Sequence, residues 1–243
     1  MADYVRKTML SQSYVHIEQV HLTDEQKSVY ESNLSLYQKP RAAIMLGGDI
    51  VPEVKTKDGS LIVYTTVFGS LADAIGKTDD FQRSLQQLYG SSKMLADACI
   101  LECLFFSSSS KKKLIRSESR TGVVKATKNI FDLVTRLTET KQTESHKRIS
   151  FFLGSLEKKV LFLDQQFQFG RDRQLVWGNL HPKLLRLKAN IHRLPVTHNE
   201  ERIDEYKKWI SELASMVKKF SEDIADREAR DTTDDDFGTD EKE

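Results

Sequence analysis

Apolar spacing divides the chain into a short β-rich start and a long helical remainder. "SYVHIEQVHL" (13–22) is rich in β-branched residues and partly alternates, as a half-buried strand does. The next segment, "LTDEQKSVYESNLSLYQK", predicts a helix. Thr23 stands at its N-cap and Gln26 at the capping-box position, with Val29, Tyr30, Leu34, Leu36 and Tyr37 as a loose stripe. Pro40 is expected to end that helix. Two β-rich runs then flank Asp58-Gly59, a hairpin signal. Pro52 places the first run at an edge or interrupts it. Residues 60–68 are largely apolar on both faces and predict a strand covered on both sides.

After Gly76 the spacing becomes helical and stays so. Thr78 is expected to cap a helix reaching about Phe106, with Phe81, Leu85, Leu88, Leu95, Cys99 and Phe105 as its stripe. A second helix over 123–141 aligns Val123, Ile130, Phe131, Val134 and Leu137. A third, over 145–169, aligns Ile149, Leu153, Leu156, Val160, Leu163 and Phe167, with gaps of 4, 3, 4, 3 and 4, and Gly170 is expected to stop it. A shorter helix is expected after His181, with Pro182 at its first position and Leu184, Leu187 and Ile191 along it. The last helix steps through Ile203, Tyr206, Ile210, Leu213, Val217, Phe220 and Ile224, three unbroken heptads that call for burial.

These elements predict an α+β fold that is predominantly α. A small N-terminal β-sheet unit occupies 1–76. A four- to five-helix bundle with coiled-coil-like seams occupies 77–230, and 231–243 is expected to be a disordered acidic tail. "FFSSSSKKKLIRSESRTG" (105–122) falls between two predicted helices and reads as a basic interhelical loop over 107–122. Helix connections in bundles commonly run about 2–8 residues, so this one is long.

Charge sharpens that picture. The net charge of +1 hides an asymmetry: residues 222–243 carry 11 acids and 3 bases, or −8, and 1–76 carry 7 bases and 9 acids, or −2, leaving +11 on 77–221. Much of it is concentrated at Lys111, Lys112, Lys113, Arg116, Arg120, Lys125 and Lys128, opposed only by Glu118, which is +6 within 18 residues. Such a run neutralises phosphates, whether of nucleic acid or of anionic lipid. No aromatic residue lies between 107 and 130 to stack on bases. Ser117 and Ser119, in "IRSESR", also sit in a basic setting suited to phosphorylation.

Catalytic patterns are missing. The six histidines form no HExxH, and Gly47-Gly48 in "MLGGDI" matches neither a Walker loop nor a dinucleotide fingerprint. Cys99 and Cys103 lie four apart on one helical face, which reads as core packing and not as a disulfide. No catalytic, metal or cofactor residue is assigned, and no small-molecule substrate is evident. No apolar run reaches the roughly 18 residues a spanning helix needs, and the N-terminus lacks an apolar signal core, so a cytoplasmic setting is expected. The reading from the residues is a non-enzymatic adaptor or regulatory protein that uses its long helices to bind a protein partner or itself. One alternative is nucleic-acid or anionic-membrane binding through 111–128. Another is a toxin-like effector that inserts 60–76 into membrane.

Overall fold

The computed structural model describes residues 8–18, 20, 22–47, 50–57, 60–76, 80–107, 113–139, 146–191 and 200–222. The fold is α+β and predominantly α, with a small antiparallel sheet near the N-terminus followed by helices. Chain contacts divide it into two compact units, Met1–Lys128 and Asn129–Glu243. That division falls at 128, where the sequence places the change at 76.

The first unit is built in the order β1 (Met9–Ile17), α1 (Asp24–Leu46), β2 (Ile50–Lys57), β3 (Leu61–Gly69), α2 (Leu71–Ile75), α3 (Phe81–Phe106) and β4 (Leu114–Arg120). Its sheet runs β2-β3-β1-β4 with every neighbouring pair antiparallel. Setting aside the short α2, this is the split βαβ connectivity, two β-α-β passes sharing one sheet.

One sheet face is the core. Val15, Ile17, Leu61 and Val63 pack with Tyr30 and Leu34 of α1 and Cys103 and Leu104 of α3. Polar contacts fix the helices to this same face. The Tyr30 hydroxyl donates to the Cys103 carbonyl at 2.8 Å, Ser11 Oγ donates to the Ser92 carbonyl at 2.8 Å, and Glu31 on α1 accepts from the Thr56 amide at 2.7 Å. The two cysteines are buried core residues, as their spacing suggests. Burial pushes both thiols up, Cys99 to about 12 and Cys103 to about 11.

Several boundaries depart from expectation. The strand expected at 13–22 is β1 at Met9–Ile17. The Thr23–Gln26 capping box forms, but α1 runs through Pro40 to Leu46. Proline removes one helix hydrogen bond, yet buried Tyr30, Leu34, Gln38, Ala42 and Leu46 recur every four residues and hold the later turns to the core. Asp80, not Thr78, caps α3, accepting from the Arg83 amide at 3.1 Å. Phe105 is 74% exposed, because Cys103 and Leu104 occupy the core face of that last turn. The Asp58-Gly59 turn lies outside the described residues, but β2 and β3 pair antiparallel around it, and Pro52 sits on an edge strand.

The largest correction concerns 107–122. It is not an interhelical loop: Leu114–Arg120 is strand β4, paired to β1 from Gln12↔Arg120 to Ile17↔Leu114. The strand carries three charged residues, Arg116, Glu118 and Arg120, and only Leu114 and Ile115 as aliphatics, so its strand character comes from the open edge of β1. Backbone ladder bonds form there whatever the side chains.

α4 (Gly122–Glu139) carries the chain from the first unit into the second, which holds α5 (His146–Asp164), α6 (Gly170–Asn190) and α7 (Glu200–Glu222). The stripes expected along α4, α5 and α7 are buried, apart from partly exposed Ile203 and Phe220 and from Ile224, which lies outside the described residues. Gly170 opens α6 and does not close α5, and Pro182 lies inside α6. The continuous buried row Val176, Trp177, Leu180, Leu184 and Leu187 explains why proline does not end it. Asp164 organises the α5–α6 corner: it accepts from Trp177 Nε1 at 2.9 Å and lies 3.3 Å from Arg173 Nε. The acidic tail expected at 231–243 lies outside the described residues. No described helix is long and apolar enough to cross a membrane.

Candidate nucleic-acid interface on the open sheet face

The strand pleat decides which residues leave the core. Ser11, Ser13, Val15 and Ile17 of β1 point to the helices, so Gln12, Tyr14 and His16 point away. Register then assigns the partners. Tyr14 faces Tyr64 on β3 and Glu118 on β4; Gln12 faces Thr66 and Arg120; His16 faces Ile62 and Arg116. On β2, Glu53, Lys55 and Lys57 stand opposite Thr66, Tyr64 and Ile62. Within this unit α1 and α3 pack on the other side, and among the described residues neither of these helices lies on the outward face. The apolar residues Ile62, Tyr64 and Phe68, expected to be covered, remain partly exposed.

Two tyrosines occupy the middle of that face. The Tyr14 and Tyr64 rings pair across the strands with centroids 5.2 Å apart at 63°. Cations border them on both sides. Arg116 and Arg120 lie 5.9 and 5.7 Å from the Tyr14 ring centre, and Lys57 Nζ lies 5.3 Å from that of Tyr64, all within cation–π reach. Glu118 accepts from both arginines, one carboxylate oxygen to each. Hydrogen bonds from Arg120, then from Arg116, hold its carboxyl below the usual carboxylate range. Arg120 also reaches Gln12 Oε1 at 3.1 Å, and Gln12 in turn donates to Thr66 Oγ1 at 2.9 Å, so the polar row is tied across three strands.

The seven basic residues singled out from sequence do not form one patch. Arg116 and Arg120 lie on the open face, exposed. Lys113 is exposed at the entry to β4, where its carbonyl accepts from the Glu18 amide at 2.9 Å. Lys125 and Lys128 belong to α4, and Lys128 stands 5.5 Å from the ring of Tyr89 on α3, the helix packed on the opposite sheet face. Lys111 and Lys112 lie outside the described residues. Ser119 points to the core side and bonds Asp97 on α3, where a phosphate would meet a like charge. The stretch 60–76 forms β3 and α2, and β3 is bonded on both edges, so membrane insertion would have to break two ladders.

Sequence reasoning alone does not single out Tyr14, Tyr64, Lys55 or Lys57. Their only sequence signal is alternation, Tyr14 in "SYVHI" and Tyr64 in "LIVYTTV", which marks a strand face without saying what covers it. Among the described residues, no group of three or more His, Cys, Asp or Glu is placed to hold a metal ion. Comparisons with family models, curated proteins and solved structures find no match for this chain.

Proposed function

We propose that the open sheet face of the first unit binds single-stranded nucleic acid. The observation that carries this reading is the Tyr14–Tyr64 pair at the centre of an outward sheet face, bordered by Arg116, Arg120, Lys55 and Lys57. Single strands are recognised by stacking bases on aromatic rings while cations meet the backbone. Duplexes hide their base faces, so a flat tyrosine-bearing sheet favours unpaired strands. Four strands at about 4.8 Å spacing make a platform roughly 14 Å across, room for two or three nucleotides. Many functions share the split βαβ connectivity, so the proposal rests on these side chains and not on the fold.

The test is fluorescence anisotropy with a labelled single-stranded 12-mer, RNA and DNA, against a duplex control. Tyr14→Ala and Tyr64→Ala should each weaken single-strand binding by about 5- to 150-fold, the range for losing one stacked base. Glu118 holds both arginines and Glu53 lies 3.4 Å from Lys55, so with two to four of these cations meeting phosphates log affinity should fall with log salt at a slope between about −1.4 and −3. Equal binding by wild type and both variants refutes the reading. So does preference for duplex, or sedimentation with anionic liposomes in the absence of nucleic-acid binding.

A second reading, docking of a protein partner on the long helices, has one observation in its favour. α5 exposes Phe151 and Phe162, at 69% and 59%, beside Lys158 and Lys159 around a surface cleft of about 600 Å³. Aromatics this exposed on a helix are typical of contact surfaces, and the two lysines suit an acidic partner. Charge-swapped Lys158→Glu, Lys159→Glu protein should lose any such partner while retaining single-strand binding.

A further inference from the structure

A face built only to hold phosphates would gain nothing from Glu118. Its charge opposes the backbone, and it occupies both neighbouring arginines. Glu118 nevertheless stands directly across from Tyr14, the ring on which a base would stack. Residues so opposed have Cβ atoms about 5 Å apart, which sets the carboxylate at the rim of a base lying on that ring.

We propose that Glu118 makes this face select guanine, with Tyr14 stacking the base and Glu118 reading its Watson–Crick edge. This inference rests on the single-strand reading above. An ionised carboxylate only accepts hydrogen bonds, through two oxygens side by side. Of the four bases, only guanine presents two adjacent donors there, N1–H and N2–H2. Adenine and cytosine each offer one amino group beside a ring-nitrogen acceptor, which the carboxylate repels. Uracil offers N3–H between two carbonyl oxygens, repelled on both sides. The arginines complete the match, since guanidinium groups donate well to guanine O6 and N7. Arg120 keeps its contact with Gln12 when it turns from Glu118 toward the base, so it does not lose every partner. The same arginines keep Glu118 ionised under mildly acidic conditions.

The test compares four U-rich single strands of equal length that differ at one central base, which avoids guanine-run structures. Wild type should bind the guanine strand about 5- to 150-fold more tightly than the other three, the range for one bidentate contact. Glu118→Gln should weaken guanine binding and leave the other three equal or tighter, since it removes a negative charge. A rise of similar size for all four strands would show that Glu118 only neutralises the arginines, and would overturn the inference while single-strand binding stands. Wild-type affinities within twofold of one another would overturn it too. Failure of wild type to bind any strand would overturn the underlying reading, and guanine selection with it. Glu118 lies on an edge strand with a partly exposed side chain, so the variant should fold, and circular dichroism checks this.

Discussion

Three glycine-to-alanine substitutions separate helix propensity, backbone strain and steric overlap, the last at the junction that follows β4. Gly122 joins β4 to α4 with φ at +42°, and a methyl group there would overlap the Met9 carbonyl oxygen and crowd Met9 C at 3.1 Å. Gly76 ends α2 with φ at +67° and open space where its Cβ would stand. Gly90 lies inside α3 with nothing within 4 Å. Gly90→Ala therefore isolates helix propensity and should stabilise by about 0.5–1 kcal/mol. Gly76→Ala isolates the strain of a positive φ with ψ at −171°, a region essentially reserved for glycine, and should cost about 1–3 kcal/mol. Gly122→Ala meets positive-φ strain of about 1–2 kcal/mol plus overlap with a backbone that cannot turn aside as a side chain would. Overpacking of this kind costs about 1–3 kcal/mol, for a total of about 2–5 kcal/mol. Urea unfolding followed by far-UV circular dichroism reads the order directly, because a midpoint shift at constant slope reports stability. The two tryptophans, Trp177 and Trp209, both lie in the second unit, so tyrosine signal or amide exchange of β1 is needed to follow the first. A Gly122→Ala protein that loses less than about 2 kcal/mol would refute the close approach of Met9 to Gly122, and with it the junction that positions β4.

Asp164→Ala should cost about 1–3 kcal/mol, because it leaves the fully buried Trp177 without an acceptor for its indole N–H; Asp164→Asn should recover most of this, read by tryptophan fluorescence during urea unfolding. Stability should also fall on the alkaline side. Cys99 and Cys103 have folded pKa values raised above the ordinary thiol value of about 9, so their contribution is complete below pH 9 and is lost as pH rises toward 11–12. Each thiol adds a slope of up to about 1.4 kcal/mol per pH unit there, and a Cys99→Ala, Cys103→Ala protein should show a flatter decline in urea midpoint between pH 9 and 11.

The periodic parts of the structure were legible in the sequence. Stripes such as Ile149–Leu163 and Tyr206–Val217 repeat over many turns, and a helix that buries such a stripe gains from every turn in the same way. The cap of α1 was legible for a similar reason, since Thr23 and Gln26 satisfy backbone groups three residues away, whereas the cap expected at Thr78 is Asp80. Local rules failed at Pro40 and Pro182, where one missing hydrogen bond is outweighed by buried residues further along α1 and α6.

What tertiary structure alone decided is the meaning of two segments. "LIRSESR" looks like a charged loop because only its first two residues are apolar, and only the unpaired edge of β1, about a hundred residues earlier in the chain, makes it a strand. Residues 60–68 look covered on both faces because they are apolar on both, yet both sheet helices pack on one side. Charge and aromaticity were therefore visible separately, in 111–128 and in β1 and β3. Their juxtaposition was not, because antiparallel register is a property of strand pairing between distant segments. It sets Tyr14 beside Tyr64 and Glu118, and no spacing along the chain encodes that neighbourhood.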